Sequence, residues 1–328
     1  MRNKLVFTLI IIILVMTGCS SPSSSTTQIK RVGLLIEDTR DDQGWNSKGY
    51  QGLLQIQKEL NVEVVFLEEV NDLQLTKLAI EEFKKKDVNL IFGHGRIFAD
   101  YFTTLGSDYP DIHFVSFNGA VDGDNVTSLH FESHAMGFFG GMVAAEMTST
   151  NQVGVIAAYE WQTEVKGFIE GAKHQKPTID VNVQYVNSWS DVDKALEIYH
   201  DMSDSGVEVF YPTGDGYHVS VLEEVKKDGN YVIGFINDQS DLAGSTVLTS
   251  TIQHVDSLYQ LVAERFNRGE LQSGNLYYDF ADGVISLGEY SQHVPEEVQE
   301  KINKEIQNYI ATGKLPNENV ELEPVQKK

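Results

Sequence analysis

Short apolar runs alternate with longer amphipathic stretches through most of this 328-residue chain. Residues 31–36 (RVGLLI) form a run of strand length, and residues 47–60 then place Leu53, Ile56 and Leu60 at helical spacing. Strands that alternate with helices favour a parallel sheet, because each helix carries the chain back to the start of the next strand. The series continues with strand 62–67 and helix 73–85, strand 88–92 and helix 97–105, and strands 113–117 and 126–131.

A second series of the same kind begins after residue 131 and predicts a second lobe. The expected class is therefore α/β, with two lobes that are each a parallel sheet flanked by helices. Open parallel sheets bind ligands beyond the carboxyl ends of their strands, so a site is expected between the lobes. The further predicted elements are helix 136–147, strand 153–157, helix 163–174, strand 181–186, helix 192–202, strand 207–211, helix 217–227, strands 231–236 and 247–252, helix 255–266, a strand pair within 276–287 and helix 298–310.

The first nineteen residues have the pattern of a secretory signal. Arg2 and Lys4 precede the apolar run 5–16, which is shorter than the roughly 20 residues of a membrane span. The run ends in Met16-Thr17-Gly18-Cys19, which resembles a lipobox and predicts that Cys19 is acylated and becomes the mature N-terminus. The alternative is an ordinary signal-anchor helix with an incidental cysteine. Residues 20–29 are predicted to be a flexible tether, since Ser and Thr fill seven of the eight positions from 20 to 27.

Composition excludes several functional classes. Asp and Glu number 48 against 25 Lys and Arg, and the resulting net charge of −23 argues against nucleic acid as a partner. Cys19 is the only cysteine, so no disulfide framework is expected. The nine histidines lack the paired spacings of a metal site, and no cofactor is expected. No nucleophile, base and orienting group follow matching strands, so the sequence does not predict an enzyme.

Several runs together resemble the BMP family of lipoproteins, the basic-membrane-protein type that includes purine-nucleoside-binding proteins of ABC importers. The runs are DQGWNSKGYQGL, NVTSLHFESHAMGFFGGMVAA, VIGFINDQSDLAGSTVLTSTIQHVD and VPEEVQEKI. The resemblance implies a type I periplasmic-binding-protein fold whose chain crosses between the lobes three times. Its expected parts are signal 1–19, tether 20–29, an N-terminal lobe of 30–131 plus 253–280, a C-terminal lobe of 132–252 plus 281–318, and a polar tail 319–328.

Within this family, the chain is similar to the Med-type competence-regulator lipoproteins of bacilli. The runs WNSKGYQGL, GHG, NQVGVIA, YPTGDGY, DQSDL and VLTST carry that similarity. An exported, lipidated and acidic chain without a basic helix-turn-helix has no direct route to the chromosome. Any regulatory effect is therefore expected to be indirect.

The resemblance implies ligand-binding roles in the loops of the first lobe. Trp45 is expected to stack on a base and Asn46 to hydrogen-bond the ligand, with Asp38 in the same loop. Stacking on an aromatic face tolerates different bases and contributes roughly 1 to 3 kcal/mol. Alternatively, Trp45 packs over the following helix and Asn46 is that helix's N-cap. After the third strand, Gly93-His94-Gly95 could direct backbone N–H groups toward the cleft, and His94 could donate or accept there. Alternatively, His94 is a structural turn residue.

Three further loop residues are candidates. Asn118 follows the fourth strand, and Trp161 holds the equivalent position in the second lobe, where it could form an opposite aromatic wall or merely cap a helix. Asp215 lies in Gly214-Asp215-Gly216, where the family has a glycine-rich loop, and could accept hydrogen bonds from sugar hydroxyls or base N–H groups. A simple turn is the alternative there.

Asp238 and Gln253 mark a departure from the family pattern. Asp238 belongs to the family's D-x-D-Q run, but Ile236 replaces the first Asp, and Gln253 stands where nucleoside binders commonly have Lys. The missing carboxylate and ammonium would each have made charge-assisted hydrogen bonds of roughly 1.5 to 3 kcal/mol. Ligand binding is therefore expected to be altered, weakened or lost.

Two functions follow from these patterns. The first is a solute-binding lipoprotein of an ABC importer, anchored by lipid on the extracytoplasmic face of the cell membrane. It would bind a purine nucleoside-like small molecule between its lobes and deliver it to a permease. The second is a Med-like positive regulator of competence that acts indirectly from the cell surface.

Overall fold

The computed structural model describes residues 28–40 and 44–318, which form twelve strands and ten helices. The predicted signal with Cys19, most of the tether and the tail 319–328 lie outside the described residues. The strands are β1 (Arg31–Ile36), β2 (Glu63–Leu67), β3 (Leu90–His94), β4 (His113–Phe117), β5 (Val126–Phe131), β6 (Gln152–Ala157), β7 (Asp180–Tyr185), β8 (Val209–Thr213), β9 (Tyr231–Ile236), β10 (Val247–Gln253), β11 (Gly274–Tyr278) and β12 (Ile285–Leu287). The helices are α1 (Trp45–Leu60), α2 (Leu73–Lys85), α3 (Ile97–Leu105), α4 (Ser133–Met147), α5 (Thr163–Gln175), α6 (Val192–Asp204), α7 (His218–Asp228), α8 (Ser240–Ala243), α9 (Val255–Asn267) and α10 (Glu296–Thr312).

The strands form two sheets of six, one for each lobe. The first sheet has the order β11-β5-β4-β3-β1-β2, and every neighbouring pair in it is parallel. The second has the order β12-β10-β9-β8-β6-β7, and only β12 runs antiparallel to its neighbour. Apolar strand residues such as Leu34, Phe92 and Val155 are buried beneath helices on the sheet faces. The predicted α/β class with two lobes is confirmed.

The chain crosses between the sheets three times, as predicted. It leaves the first sheet after β5, returns after β10, and crosses again between β11 and β12. The predicted pairing of two strands within 276–287 is wrong. Each of these short strands instead completes the edge of a different sheet, where the longer strands β5 and β10 supply hydrogen-bonding partners. The residue boundaries of the two lobes given above stay a prediction.

Backbone hydrogen bonds join the crossing segments to one another. The Glu132 N–H donates to the Tyr278 carbonyl across 2.9 Å, which links the first crossing to the third. The His254 N–H donates to the Val284 carbonyl across 2.8 Å, which links the second crossing to the third. Any rotation of one lobe relative to the other would therefore take place about these three crossing segments, which are hydrogen-bonded to one another.

Helices α4 and α5 of the second lobe pack backbone to backbone. A Cβ at Gly141 would lie 2.9 Å from the backbone N of Ala172, and one at Gly167 would lie 3.0 Å from the N of Phe138. Only glycine permits such an approach, because any side chain would meet backbone atoms that cannot move aside. This contact fixes the start of α5, where it faces the cleft.

Candidate functional site

The carboxyl ends of the two sheets face each other, and the loops that follow the strands touch across the gap. A Cβ at Gly44 of the first lobe would lie 3.5 Å from the Asp215 Cβ of the second. The Arg96 guanidinium, after β3, lies 5.9 Å from the centroid of the Trp161 ring, after β6. Two pairs of residues thus bridge the lobes at the mouth of the cleft.

Trp45, the first residue of α1, is held by aromatic neighbours. Its indole stacks on His94 with a centroid distance of 4.2 Å and an interplanar angle of 18°. It also meets Phe117 and Phe131 edge to face, at 5.7 and 6.5 Å. The indole is only partly buried. Because His94 covers one of its faces, a planar ligand ring could stack only on the other.

His94 is the last residue of β3 and is completely buried. Its Nε2 lies 2.7 Å from the Trp45 carbonyl oxygen, and its Nδ1 lies 2.9 Å from the Tyr259 hydroxyl. A carbonyl only accepts, so Nε2 donates to Trp45, and Nδ1 shares the second hydrogen bond with the Tyr259 hydroxyl. Placing His94 in the loop after the strand was wrong, because β3 extends two residues past the predicted 88–92. Nε2 therefore holds the backbone of Trp45, while Nδ1 anchors the ring to Tyr259.

Asn46 is the second residue of α1 and is partly buried, so it follows Trp45 into the helix. Gly44 occupies the N-cap position without a side-chain bond. The alternative in which Asn46 caps the helix is therefore wrong. Asn118 follows β4 with φ +57°, a left-handed conformation that Asn tolerates. Its side chain is exposed, and its backbone N–H donates to the Leu129 carbonyl at 3.0 Å.

In the loop after β1, the carboxylate that points inward is that of Glu37, not that of the expected Asp38. Asp38 is exposed and accepts from the backbone N–H of Thr39 at 3.0 Å. The neighbouring Glu37 is partly buried, and a Cβ at Gly95 would lie 3.0 Å from the Glu37 Cδ. Burial, and then repulsion by Asp38, raise the pKa of Glu37. Gly95 therefore leaves space for a carboxylate at the cleft end of the sheet.

Trp161 is 59% exposed and belongs to an aromatic cluster on the rim of the second lobe. It stacks on Tyr159 at 5.6 Å and meets Trp189 edge to face at 5.7 Å. Trp45 and Trp161 thus have separate partners, and neither stacks on the other. Tyr159 and Trp189 were not among the residues predicted from the sequence. Trp189 could have been found as an aromatic residue in the polar loop that follows a predicted strand.

Asp215 lies beside this cluster, between Gly214 and Gly216. The Gly216 N–H donates to the Trp189 carbonyl at 2.8 Å, which joins the two loops. Asp215 is partly buried and abuts Gly44, so it belongs to the boundary between the lobes rather than to an isolated surface turn.

Asp238 and Gln253 make bonds within the protein. The Asp238 carboxylate accepts from the backbone N–H groups of Ser240 and Glu289, at 3.0 and 3.1 Å. The buried Gln253 amide donates to the Ser133 hydroxyl at 3.2 Å and so connects two crossing segments. Both side chains therefore stabilise the loops and crossings around the cleft.

Ile236, at the end of β9, has φ +62°. For a β-branched residue this conformation is a clear outlier that costs on the order of 1–3 kcal/mol. The Asn237 N–H donates to the Phe235 carbonyl at 2.7 Å, which closes a tight three-residue turn around Ile236. The apolar side chain is 7% exposed. The chain thus keeps a strained turn here while presenting no polar side chain.

A buried carboxylate that was not predicted from the sequence lies in the first turn of α5. Glu164 is 9% exposed, and burial raises its pKa. The Gln162 amide donates to the Glu164 carboxylate at 2.8 Å and to the Thr213 carbonyl at 2.9 Å. No pattern in the sequence pointed to this residue, because a Glu in the first turn of a helix is ordinary on an exposed surface.

Two structural surveys bear on other classes of site. Over residues 28–40 and 44–318, no three or more His, Cys, Asp or Glu side chains are grouped so that they could hold a metal ion. Over the same residues, no helix has the length and apolar character needed to cross a membrane.

Comparison with known proteins gives consistent results. The family described as ABC transporter substrate-binding protein PnrA-like matches residues 29–319. The chain is 48% identical to the "Transcriptional activator protein med" of Bacillus subtilis, over 93% of this chain and 96% of that one. It is 24% identical to "Basic membrane protein A1" of Borrelia garinii, over 92% of each chain. The predicted resemblance to the BMP family and its Med-type members is confirmed.

Solved structures agree with the fold. A crystal structure described as a transcriptional activator of the comK gene from Bacillus halodurans is 57% identical, with a TM-score of 0.84 over 87% of this chain and 99% of that one. An ABC transporter solute-binding protein from Conexibacter woesei is 19% identical, with a TM-score of 0.71 over 88% and 98% of the chains. At that identity, the second likeness concerns the fold alone.

Proposed function

The chain belongs to the PnrA-like family of ABC transporter substrate-binding proteins, and from that premise we propose that it binds a nucleoside-like solute between its lobes. In this proposal, Cys19 is acylated and holds the protein at the outer face of the cell membrane. The lobes close on the ligand and present it to a permease, without chemical change to the ligand.

The position of Trp45 carries the proposal. The stack with His94 and the edge contacts with Phe117 and Phe131 fix the indole at the carboxyl ends of β3, β4 and β5. A fixed aromatic ring loses little entropy when a planar ligand stacks on it. Such an arrangement supports recognition of a purine ring.

The cleft offers fewer hydrogen-bonding partners to the sugar of a nucleoside than the family pattern implies. Asp238 already accepts from two backbone N–H groups, Gln253 already donates to Ser133, and Ile236 is apolar. Stacking on the base should therefore contribute more to affinity than bonds to the sugar.

Thermal unfolding of the full chain in detergent, with and without purine nucleosides, tests this function. A ligand that binds only the folded state raises the free energy of unfolding by RT ln(1 + [L]/Kd), and the melting temperature rises with it. We expect purine nucleosides to raise it and Trp45→Ala to abolish the increase. An unchanged melting temperature at millimolar nucleoside would contradict the proposal.

A second function is favoured by the two relatives that are described as transcriptional activators. In this alternative the chain regulates competence from the cell surface, through contact with another envelope protein. A competence reporter in cells that carry Trp45→Ala distinguishes the two. Full reporter activity together with lost nucleoside binding would favour a regulator that does not need the ligand, whereas loss of both would make the ligand part of the regulation.

A further inference from the structure

Tyr259 is a completely buried residue of α9, the helix that follows the second crossing. Its ring stacks on Phe92 of β3 and on Phe117 of β4, with centroid distances of 4.3 and 5.4 Å and interplanar angles of 16° and 17°. Phe117 also meets the Trp45 indole edge to face, at 5.7 Å. One aromatic neighbour of Tyr259 is therefore also a neighbour of Trp45.

The helix that carries Trp45 lies directly on the Tyr259 ring. Gly52 of α1 follows Trp45 by about two turns. A Cβ at Gly52 would lie 2.6 Å from the Tyr259 Cγ and 2.8 Å from its Cδ2. Only a residue without a side chain allows the helix to approach the ring so closely. The position of α1 therefore depends on the ring of Tyr259.

The hydroxyl of Tyr259 is connected to Trp45 through His94. It lies 2.9 Å from the His94 Nδ1, while the His94 Nε2 lies 2.7 Å from the Trp45 carbonyl oxygen. Rotation of an imidazole about its last side-chain torsion is only weakly restricted by that torsion itself. A hydrogen bond on each ring nitrogen therefore fixes the plane of the ring. The indole of Trp45 stacks on this same ring at 4.2 Å.

Packing alone does not account for a hydroxyl at this position. A phenylalanine ring could make the same stacks on Phe92 and Phe117 without placing a polar group in the core. Among the described residues, His94 is the one hydrogen-bonding partner of the Tyr259 hydroxyl. Burial raises the pKa of Tyr259 well above its ordinary value, so the hydroxyl stays neutral. The role of this hydroxyl is therefore at His94.

We propose that Tyr259 is a positioning residue that holds the ligand-binding face of Trp45 through His94 and does not touch the ligand. The hydroxyl fixes the plane of the His94 ring, and that ring covers and orients one face of the indole. An indole held in one orientation loses less entropy when a planar ligand stacks on its other face. The inference rests on the proposed stacking of a purine ring on Trp45 and names a residue outside the cleft on which that stacking depends.

Calorimetry of the full chain in detergent with adenosine and with guanosine tests the inference. Tyr259→Phe removes the hydroxyl and keeps the ring. Tyr211→Phe is the matched control, because Tyr211 is also completely buried, belongs to β8 of the second lobe, and has its hydroxyl 3.0 Å from the uncharged Thr251 hydroxyl. We expect Tyr259→Phe to weaken binding of both nucleosides by about 3- to 10-fold, and the control to change it by less than about twofold.

Fluorescence measured without ligand shows whether the effect passes through Trp45. The chain has three tryptophans, so replacing Trp161 and Trp189 by Phe leaves Trp45 as the only one. In this background, Tyr259→Phe should lower the fluorescence anisotropy of Trp45 and increase its quenching by acrylamide, whereas Tyr211→Phe should change neither. A role confined to stability would lower the melting temperature of both tyrosine variants and leave the Trp45 signal unchanged.

Two results would overturn the inference. If Tyr259→Phe bound both nucleosides as tightly as the control, the hydroxyl would have only a structural role. If Tyr259→Phe bound them more weakly while the anisotropy and quenching of Trp45 stayed the same, the effect would not pass through Trp45. A wild type that bound neither nucleoside would refute the proposed function instead. The fluorescence of Trp45 would then still confirm or refute its positioning by Tyr259.

Discussion

Replacement of His94 should reveal how firmly the stacking tryptophan is supported. His94→Ala removes a completely buried ring that bonds the Trp45 carbonyl and the Tyr259 hydroxyl, at 2.7 and 2.9 Å. Each buried partner left without a bond costs about 1–3 kcal/mol, and the lost stack on Trp45 adds about 0.5–1.5 kcal/mol. We therefore expect the free energy of unfolding to fall by about 2.5 to 7.5 kcal/mol.

Urea denaturation of the full chain in detergent measures this loss, with His200→Ala as the control because His200 is an exposed histidine on α6. The midpoint should fall for His94→Ala while the slope with urea stays the same. The variant should also bind nucleoside more weakly, since Trp45 loses its supporting ring. A His94→Ala variant as stable as the control would refute the view that His94 supports the site, and would restore it as a candidate ligand contact.

Three further predictions concern the mouth of the cleft, the pH dependence and the helix pair. Arg96→Ala removes a cation–π contact with Trp161 that joins the lobes and contributes about 0.5–1 kcal/mol at an exposed site. The ligand should therefore dissociate about two to five times faster, as measured by stopped-flow fluorescence. An unchanged rate would mean that the contact does not hold the lobes together. Burial lowers the pKa of His113 from its ordinary 6.5 to about 4, so the folded state resists protonation, and the stability present above pH 6.5 should be lost progressively as the pH falls toward 4. Over that pH range the urea midpoint of His113→Gln should fall less than that of the wild type. An equal fall in both proteins would contradict the lowered pKa of His113. Gly141→Ala should lower the melting temperature of the protein more than Gly140→Ala does. A methyl group at 141 would meet backbone atoms, whereas one at 140 would meet side-chain methyl groups at 3.2 and 3.3 Å. Equal melting temperatures for the two variants would show that α4 and α5 can separate.

The two lobes were predictable because the hydrophobic period changes clearly between strand and helix along the chain. The pattern in residues 31–36 and 47–60 corresponds to β1 and α1, with α1 beginning two residues earlier. Residues 276–287 were predicted wrongly, since two short apolar runs with a turn between them are also typical of a hairpin. Their assignment to different sheets depends on contacts with β5 and β10, which are distant in sequence.

The site was less predictable, because sequence position does not fix the direction of a side chain. Glu37 and Asp38 are neighbours, and Glu37 is the one whose carboxylate occupies the space that a side chain on Gly95 would fill. Glu164 resembles an ordinary residue of a helix N-terminus until the packing of α4 on α5 buries it. The strain at Ile236 likewise arises from tertiary structure. The roles assigned to Asp38, Asn118, Asp215 and the other candidates stay predictions.

The central claim is that a purine ring stacks on Trp45 and that the sugar contributes little. Titration calorimetry of the full chain with a purine nucleoside and with its free base tests this most directly. The account predicts that both bind, with affinities that differ by less than about tenfold, and that Trp45→Ala removes binding of both. The account would be contradicted if the nucleoside bound tightly and the free base bound about a hundredfold or more weakly. Such a difference in affinity would mean that the protein has buried polar groups that bond the sugar hydroxyls and stay unpaired when the sugar is absent.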